Sequence, residues 1–568
     1  MKYVFLFLAL VVLPEFLNAQ ILGSYSNIGH VDEEVFQGYT SDYAGFDRVL
    51  PSRRAWTINP EDSNAYSVLS VGLGQNLNQS IRASLDRPIG DKARFFMEFT
   101  RESYPGWVTN SFGKYSDWDS RFSSRLNEKQ ELSLDFSVRR DSRGANWGVP
   151  IDSSYSIEQS LDGFSALYSD VYSSNGLSDE LFVVSDLTHK IDLYQTDSAN
   201  WNIRSNIGLN WDSWRFEDES VSTIYYEQLL APNVTSFRDS VKMLIPHAGF
   251  TLDHRRSLER MDVSLSTGAV YELIDLKNNS NETLLHNLKL EANGELASTK
   301  VAIHGAGYYI PLGFNQGDAK IDADFIYLLG GQLDSNSFWQ SSFSVDAGFW
   351  LKEPSYKFYR YSSSILSYKN EFDKELITRA GAKWNFNRDS LLIELGSDIT
   401  LFQNRIYIDS NFAAVQAANA FYTNRNTLSV RYASRHWVIH PRATYQLSSA
   451  SDVFSIPELV ADFDVAFKFG LFKHKMGIRL GSEGGYYSTY FARGYLPFID
   501  EYFVQSNRQY GNVVMIHPYV SAKINSLSIK LQMINATYGI FSDDPMIAPG
   551  YSMVPRFGVL SATWKFKN

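Results

Sequence analysis

The feature that most constrains this chain is its last stretch, Pro555-Arg556-Phe557-Gly558-Val559-Leu560-Ser561-Ala562-Thr563-Trp564-Lys565-Phe566-Lys567-Asn568. Read with a two-residue period, Gly558, Leu560, Ala562, Trp564 and Phe566 share one face, and Val559, Ser561, Thr563 and Lys565 share the other. A strand that is apolar and aromatic on one side, mostly polar on the other, and placed at the C-terminus is the closing strand expected of an outer-membrane β-barrel. Leu560, Trp564 and Phe566 are the candidate lipid-facing positions of that strand.

The N-terminus agrees with export. Met1-Lys2-Tyr3 precedes the apolar run Val4 to Leu13, which is too short to cross a bilayer as a helix. Residues 1–19 read as a signal peptide cut between Ala19 and Gln20. There are no cysteines, so an exported protein of this size relies on hydrogen bonds and burial rather than disulfides. Aromatic residues make up 15% of the chain, with 34 Tyr, 38 Phe and 12 Trp, yet no apolar run of about 18 residues follows Leu13. That combination fits a membrane crossed by strands, in which only alternate residues meet lipid. A net charge of −11 argues against a nucleic-acid partner.

Strict alternation recurs at Leu132 to Arg139, Leu288 to Asn293, Ala380 to Phe386, Met476 to Gly481 and Leu527 to Met533, with the full charges on one face of each. A sandwich strand alternates too, so the connections carry the decision. Ten short turns fall at Arg87 to Lys92, Asn127 to Lys129, Thr196 to Asn200, Arg255 to Arg260, Leu296 to Thr299, Leu333 to Ser337, Asn387 to Ser390, Ser434 to His436, Lys473 to Lys475 and Asn525 to Ser526. Longer irregular stretches fall between many of them: Ser103 to Ser120, Asp141 to Asp179, Phe216 to Leu244, Pro354 to Lys374, Asp409 to Arg425, Ala492 to Tyr510 and Phe541 to Val554. Short periplasmic turns alternating with long outer loops are the asymmetry of an outer-membrane barrel, and a sandwich has no reason for it.

The expected fold is therefore all-β: a transmembrane antiparallel barrel over residues 66–568 with roughly 20–22 strands, or 16–18 if some hairpins are loop excursions. Tyr66 to Gly74 supplies a first strand, although its link to Leu77 is short for an outer loop. Residues 20–65, which carry Asp32-Glu33-Glu34 and Arg53-Arg54, read as a periplasmic extension or a lumenal insert. They are too few for an independent plug domain of ordinary size, which counts against TonB-dependent active transport.

The signal ending Asn18-Ala19-Gln20, the stretch from Tyr115-Ser116-Asp117-Trp118 to Trp147-Gly148, and Ala548 to Phe557 leading into a strand that ends Trp-x-Phe resemble the Bacteroidota-type putative porin family. The resemblance is architectural over the whole chain and reaches motif level at the C-terminal end. It implies an outer-membrane channel in a Gram-negative cell and passive diffusion.

Candidate pore-lining residues follow from the strand faces: Asp135, Arg139, Glu291, Arg379, Lys383, Glu394, Asp398, Arg479, Glu483 and Lys530. Opposed rows of such charges would set a transverse field and tune ion selectivity. The plainer reading is a wet wall held by salt bridges, which is usual inside barrels. Tyr486-Tyr487, Tyr490-Phe491, Tyr309, Trp384, Trp564 and Phe566 read as girdle aromatics, with ligand stacking inside the pore as the alternative. No catalytic, cofactor-binding or metal site is expected. The ten histidines are scattered, and His436 and His440 on one strand face would stand about 13 Å apart, beyond shared metal ligation. Gly481-Ser482-Glu483-Gly484-Gly485 sits within a strand rather than on a strand-to-helix turn, and so is not a nucleophile elbow.

The functional expectation is an outer-membrane porin passing small hydrophilic solutes, without a cofactor. Its partners would be outer-membrane lipid, the barrel-assembly machinery and the solutes themselves, with a homo-oligomer or an outer-membrane complex as further options and no nucleic acid. The alternative is a barrel that serves as a structural or accessory component of an outer-membrane assembly or secretion complex. A third reading is a soluble secreted β-protein that binds carbohydrate.

Overall fold

The computed structural model describes residues 65–567 except 107, 147, 149–170, 172, 197, 220–235, 280, 331–338, 363–366, 474 and 542–545. The expected signal peptide and nearly all of residues 20–65 lie outside the described residues.

Twenty-two antiparallel strands form one closed sheet. They are β1 (Tyr66–Gly74), β2 (Gln79–Ile89), β3 (Ala93–Tyr104), β4 (Gly113–Asn127), β5 (Gln130–Gly144) and β6 (Leu177–Gln195). Then come β7 (Ala199–Asp218), β8 (Phe237–Leu258), β9 (Met261–Asn278), β10 (Asn281–Ser298), β11 (Val301–Gly313) and β12 (Ala319–Gly330). Next are β13 (Trp339–Lys352), β14 (Glu375–Arg388), β15 (Leu391–Gln403), β16 (Phe421–Ala433) and β17 (Trp437–Ser448). Last are β18 (Leu459–Leu471), β19 (Met476–Tyr487), β20 (Val513–Ile524), β21 (Leu527–Ile534) and β22 (Phe557–Lys567). Closure is made by β1 against β22, from Tyr66 opposite Lys567 to Gly74 opposite Val559. A closed sheet satisfies every strand edge, which a sheet surrounded by lipid requires. The 16–18-strand option is excluded.

Both ends of the barrel chain lie at one rim, the terminal end. Nine of the ten short turns read from the sequence connect strands at that rim, and the tenth, Leu333 to Ser337, falls outside the described residues. Asp389 and Asn525 turn two of these hairpins in the left-handed region, at φ +49° and +51°, where Asp and Asn are among the tolerated side chains. The opposite rim, the far end, carries the longer connections. Several expected loops are shorter than they read. The window Ser103 to Ser120 contains the first half of β4, and Phe216 to Leu244 contains the end of β7 and the start of β8. The far-end link between β1 and β2 is only a single 3-10 turn at Gln75–Leu77.

The wall is uneven. Strands β6 to β10 are 19, 20, 22, 18 and 18 residues long, whereas β21, β22 and β1 have 8, 11 and 9. In the lower part of most strands the outward face is apolar and exposed, as at Leu134, Leu209, Phe250, Leu290, Leu395, Leu480 and Leu531. Trp201 and Trp211, ten positions apart on β7, both point outward. At about 3.3 Å per residue and a tilt near 45°, they mark a band of roughly 23 Å, close to the apolar height of such barrels.

Above that band the tall wall reverses polarity. On β7 the outward row passes from Ile207, Leu209 and Trp211 to Arg215 and Glu217, while the inward row passes from Arg204 and Asn206 to Trp214 and Phe216. On β8 the outward positions Phe250 and Leu244 give way to Lys242 and Arg238, and the inward His247 gives way to Ile245, Met243 and Val241. Outside, these far-end charges interlace: Arg238 with Glu217 at 2.8 Å and Lys277 with Glu282 at 2.9 Å. A charged outer face is one that meets water, so the tall wall rises out of the lipid band.

Candidate solute pathway and its mouth

All ten candidate pore-lining side chains sit on the inward face, opposite the exposed apolar row of their strands. Most are held by neighbours in the wall. Asp135 pairs with Arg121, Glu291 with Lys289 at 2.7 Å, Asp398 with Arg425 at 2.9 Å and Arg379 with Asp346 at 3.6 Å. Lys530 pairs with Glu483 at 3.1 Å and stands 4.5 Å from the centre of the Tyr519 ring. Arg139 lies over the Tyr115 ring at 5.5 Å. Lys383, Glu394 and Arg479 make no ion pair among the described residues.

The charge is nevertheless distributed unevenly round the ring. On β6 to β13, inward carboxylates such as Asp186, Asp212, Asp253, Asp262, Glu272 and Asp346 outnumber inward cations. On β14 to β22 the inward cations Arg379, Lys383, Arg425, Arg431, Arg442, Lys468, Arg479, Lys523, Lys530 and Lys565 outnumber Glu375, Glu394, Asp398, Asp462, Asp464 and Glu483. β8 and β19 stand half a ring apart, so the acidic and basic arcs look across the lumen at one another. One further inward pair, His247 Nε2 and Asp186 Oδ1 at 2.7 Å, is nearly enclosed beneath the reversed part of the tall wall.

The girdle aromatics divide. Tyr309, Trp564 and Phe566 face outward and are exposed. Leu560 shares their row on β22, and Trp564 packs on Phe566 with ring centres 4.6 Å apart. Trp384 also lies outward and donates to Ser341 Oγ at 2.9 Å. Tyr487 and Tyr490 do neither of the things expected of them. They pack together at the far end with Tyr510, Met546 and Ala548, where loop burial replaces lipid contact.

That burial belongs to a folded mouth. The far-end connections 404–420 and 488–512 each form a hairpin, Ile406–Ile408 with Ala414–Gln416 and Gly494–Leu496 with Glu501–Phe503. The two hairpins join through a parallel bridge between Ile408 and Phe503, giving a four-stranded sheet, and Phe412 packs edge-on against Phe503 at 4.8 Å. The second hairpin springs from between β19 and β20, yet its Leu496, Phe498 and Ile499 are buried in one cluster with Trp214, Phe216, Val241, Met243, Ile245, Ile274 and Leu276 of β7 to β9. Tyr356 and Phe358 of the 353–374 connection complete it. The lid therefore bridges the ring, from its roots beside β15 and β19 to the inner face of β7 to β9. Phe216 and Phe498 are both 0% exposed, and each buried Phe contributes about 1.5–3 kcal/mol.

Polar anchors fix the lid at its base. Glu375, at the start of β14, is buried and accepts from the Ile406 backbone N–H at 2.8 Å and from Arg405 at 3.1 Å, with Lys352 at 3.3 Å on its other oxygen. Lys374 bridges Asp318 and Glu353. Asn279 donates to the Ser362 carbonyl at 2.7 Å, and Thr283 Oγ1 meets the Tyr356 hydroxyl at 3.3 Å. On the neighbouring wall, Arg143, paired with Asp141, lies against Tyr495 and Asp500 of the lid. Tyr495 donates to Asp500, and burial pushes its phenol well above the usual range, so it remains a neutral donor. Sequence reading missed this assembly. Its signals were the alternation Val241-Lys242-Met243-Leu244-Ile245, which begins inside the expected loop Phe216 to Leu244, and the apolar run Leu496-Pro497-Phe498-Ile499 within another.

A closed 22-strand barrel with lipid-facing aromatics and a polar lumen is the architecture of an outer-membrane β-barrel protein. The chain belongs to the family described as "putative porin", which matches residues 151–567. Among solved structures it is similar in fold to the ferric enterobactin receptor PfeA of Pseudomonas aeruginosa, with a TM-score of 0.60 at 12% identity over 89% of this chain and 82% of that one. The FrpB iron transporter of Neisseria meningitidis gives a TM-score of 0.59 at 11% identity, and the ferric-catecholate import receptor Fiu of E. coli K12 in its closed form gives 0.58 at 11%, with the same coverages. No curated protein sequence matches the chain.

Proposed function

We propose that this protein is an outer-membrane channel that passes small hydrophilic solutes down their gradient, and that the lid governs access to it. The observation that carries this reading is the contrast between a lumen wall rich in paired charges and a mouth crossed by hairpins that pack into an apolar cluster. A polar interior provides a hydrated path. A barrel of 22 strands is wide, and barrels of that size are ordinarily plugged. Here the mouth is covered by the protein's own far-end loops. The acidic and basic arcs would orient a dipolar solute and bias which ions enter. A signal peptide at residues 1–19 would deliver the chain for export, and assembly would require the cell's barrel-insertion machinery.

The test is single-channel recording in a planar bilayer, comparing the wild-type protein with a variant whose lid is displaced, Phe498→Asp. The channel reading predicts low or intermittent conductance in the wild type and larger, steadier conductance in the variant. A folded, heat-modifiable barrel that conducts in neither form would overturn it. The covered mouth also favours a second reading, a barrel that serves as an accessory component of an outer-membrane complex. A stable partner recovered with such a non-conducting barrel would favour that reading.

A further inference from the structure

The terminal end of the lumen between β18 and β20 departs from the pairing that holds most of the wall. Inward cations such as Arg82, Arg121, Arg204 and Arg425 each lie against a carboxylate. Lys468 of β18 and Arg479 of β19 are instead direct cross-strand partners, and Lys523 of β20 is opposite Gly477, which places it diagonal to Arg479. None of the three makes an ion pair among the described residues, and the Arg479 Nε has no acceptor there. Directly opposed side chains leave the backbone about 4.5–5.5 Å apart and diagonal ones about 7–8 Å, so three positive charges crowd one small area and repel. The next inward carboxylate on β19, Glu483, is occupied by Lys530 at 3.1 Å. The turn between β18 and β19 adds Lys473 and Lys475, both exposed.

The same place is hollow. Gly470 and Gly477 oppose one another on the inward face, one step closer to the rim than Lys468 and Arg479. A side-chain carbon added at Gly477 would meet no atom within 4 Å. The two glycines therefore leave a gap that the three cations surround. Two hydroxyls share this face, Ser521 opposite Arg479 and Ser528 opposite Lys523. A guanidinium presents paired N–H donors that match two oxygens of one phosphate or carboxylate, and an ammonium adds a point charge. Hydroxyls can donate to further oxygens of the same group. A halide offers no such set of separated acceptors. We infer that this hollow is a binding site for a multivalent oxyanion, phosphate-like in charge and shape, in the terminal end of the lumen. The inference rests on the water-filled lumen of the channel reading, and names the class of solute that such a lumen would hold. Binding and conduction are measured separately, so either can fail alone.

The test is titration calorimetry of the purified, full-length barrel in detergent, with pyrophosphate as the probe and chloride as the comparison anion at matched ionic strength. Pyrophosphate should bind saturably and chloride should not. Arg479→Gln combined with Lys523→Gln should weaken binding about tenfold or more, because each removes a charge-assisted hydrogen bond. Gly477→Leu fills the gap and leaves every charge in place, and it should weaken binding as well. Arg204→Ala, at a paired cation on the acidic arc, should leave binding unchanged. Heat-modifiable migration checks that each variant is folded, and the charge-removing pair relieves repulsion rather than adding it. No saturable pyrophosphate binding in the wild type, or binding unaltered by the double substitution or by Gly477→Leu, would overturn the inference. So would an equal loss in Arg204→Ala, which would assign the effect to the overall charge of the lumen. A barrel that binds pyrophosphate but never conducts keeps this site and removes the channel reading; one that conducts without binding does the reverse.

Discussion

The lower and upper parts of strands β7 to β9 are one continuous piece of sheet with opposite instructions. Below, Ile207, Leu209 and Phe250 face out, and Arg204, Asn206 and His247 face in. Above, Arg215, Glu217 and Lys242 face out, and Phe216, Met243 and Ile245 face in. The backbone geometry is the same throughout, so the reversal reports the surroundings: lipid outside and water inside below, water outside and a packed lid inside above. Alternation identifies a strand, but its sign depends on which side is wet.

The comparison can be broken most severely at the lid. Phe498→Asp places a carboxylate in the upper core, at a cost no smaller than the roughly 3–5 kcal/mol of an emptied Phe site. It should release the lid, leave heat-modifiable migration unchanged and sensitise cells to bulky polar antibiotics. Loss of the barrel itself would mean that the upper and lower regions are not separable. Glu375→Gln attacks the anchor and leaves Arg405 and Lys352 without their shared carboxylate, costing about 3 kcal/mol locally. Limited proteolysis should then cut within residues 404–420, which the wild type protects.

A pair of matched substitutions sharpens the boundary. Leu531→Arg, on the lipid face in the lower band, should destabilise by about 2 kcal/mol in a folding titration into bilayers. Leu284→Arg, equally outward but level with Asp275 on the tall wall, should stay within about 0.5 kcal/mol. Equal effects would place both positions in the same medium. The smallest effect is expected at the half-exposed pair of Arg204 with Asp253, 2.6 Å apart on the inward face. Arg204→Ala should cost less than about 1 kcal/mol, because water screens the pair.

Much of the barrel was legible from sequence because its rules are local. Nine of the ten short turns join strands at the terminal end, since a tight hairpin needs only a few turn residues between two alternating runs. The outward row Leu560, Trp564 and Phe566 followed from the two-residue period alone, as did the inward side of every candidate pore residue. The far end was not legible for the same reason. Phe216 to Leu244 looked like a loop because its alternation had changed sign, and Tyr487 and Tyr490 looked like girdle residues because nothing local says that a loop will bury them.

The sequence by itself determined that this chain forms a large antiparallel barrel with its tight turns on one rim, because strand period, turn chemistry and the aromatic closing strand are all properties of neighbours along the chain. Only the tertiary structure decided that the count is 22, that β7 to β9 rise out of the lipid band, and that hairpins rooted near β15 and β19 cross the mouth to meet them. Those outcomes depend on residues hundreds of positions apart, such as Phe216 and Phe498, being buried in one cluster. Apolar burial has no direction along the chain, so what covers such a face cannot be read from the face itself.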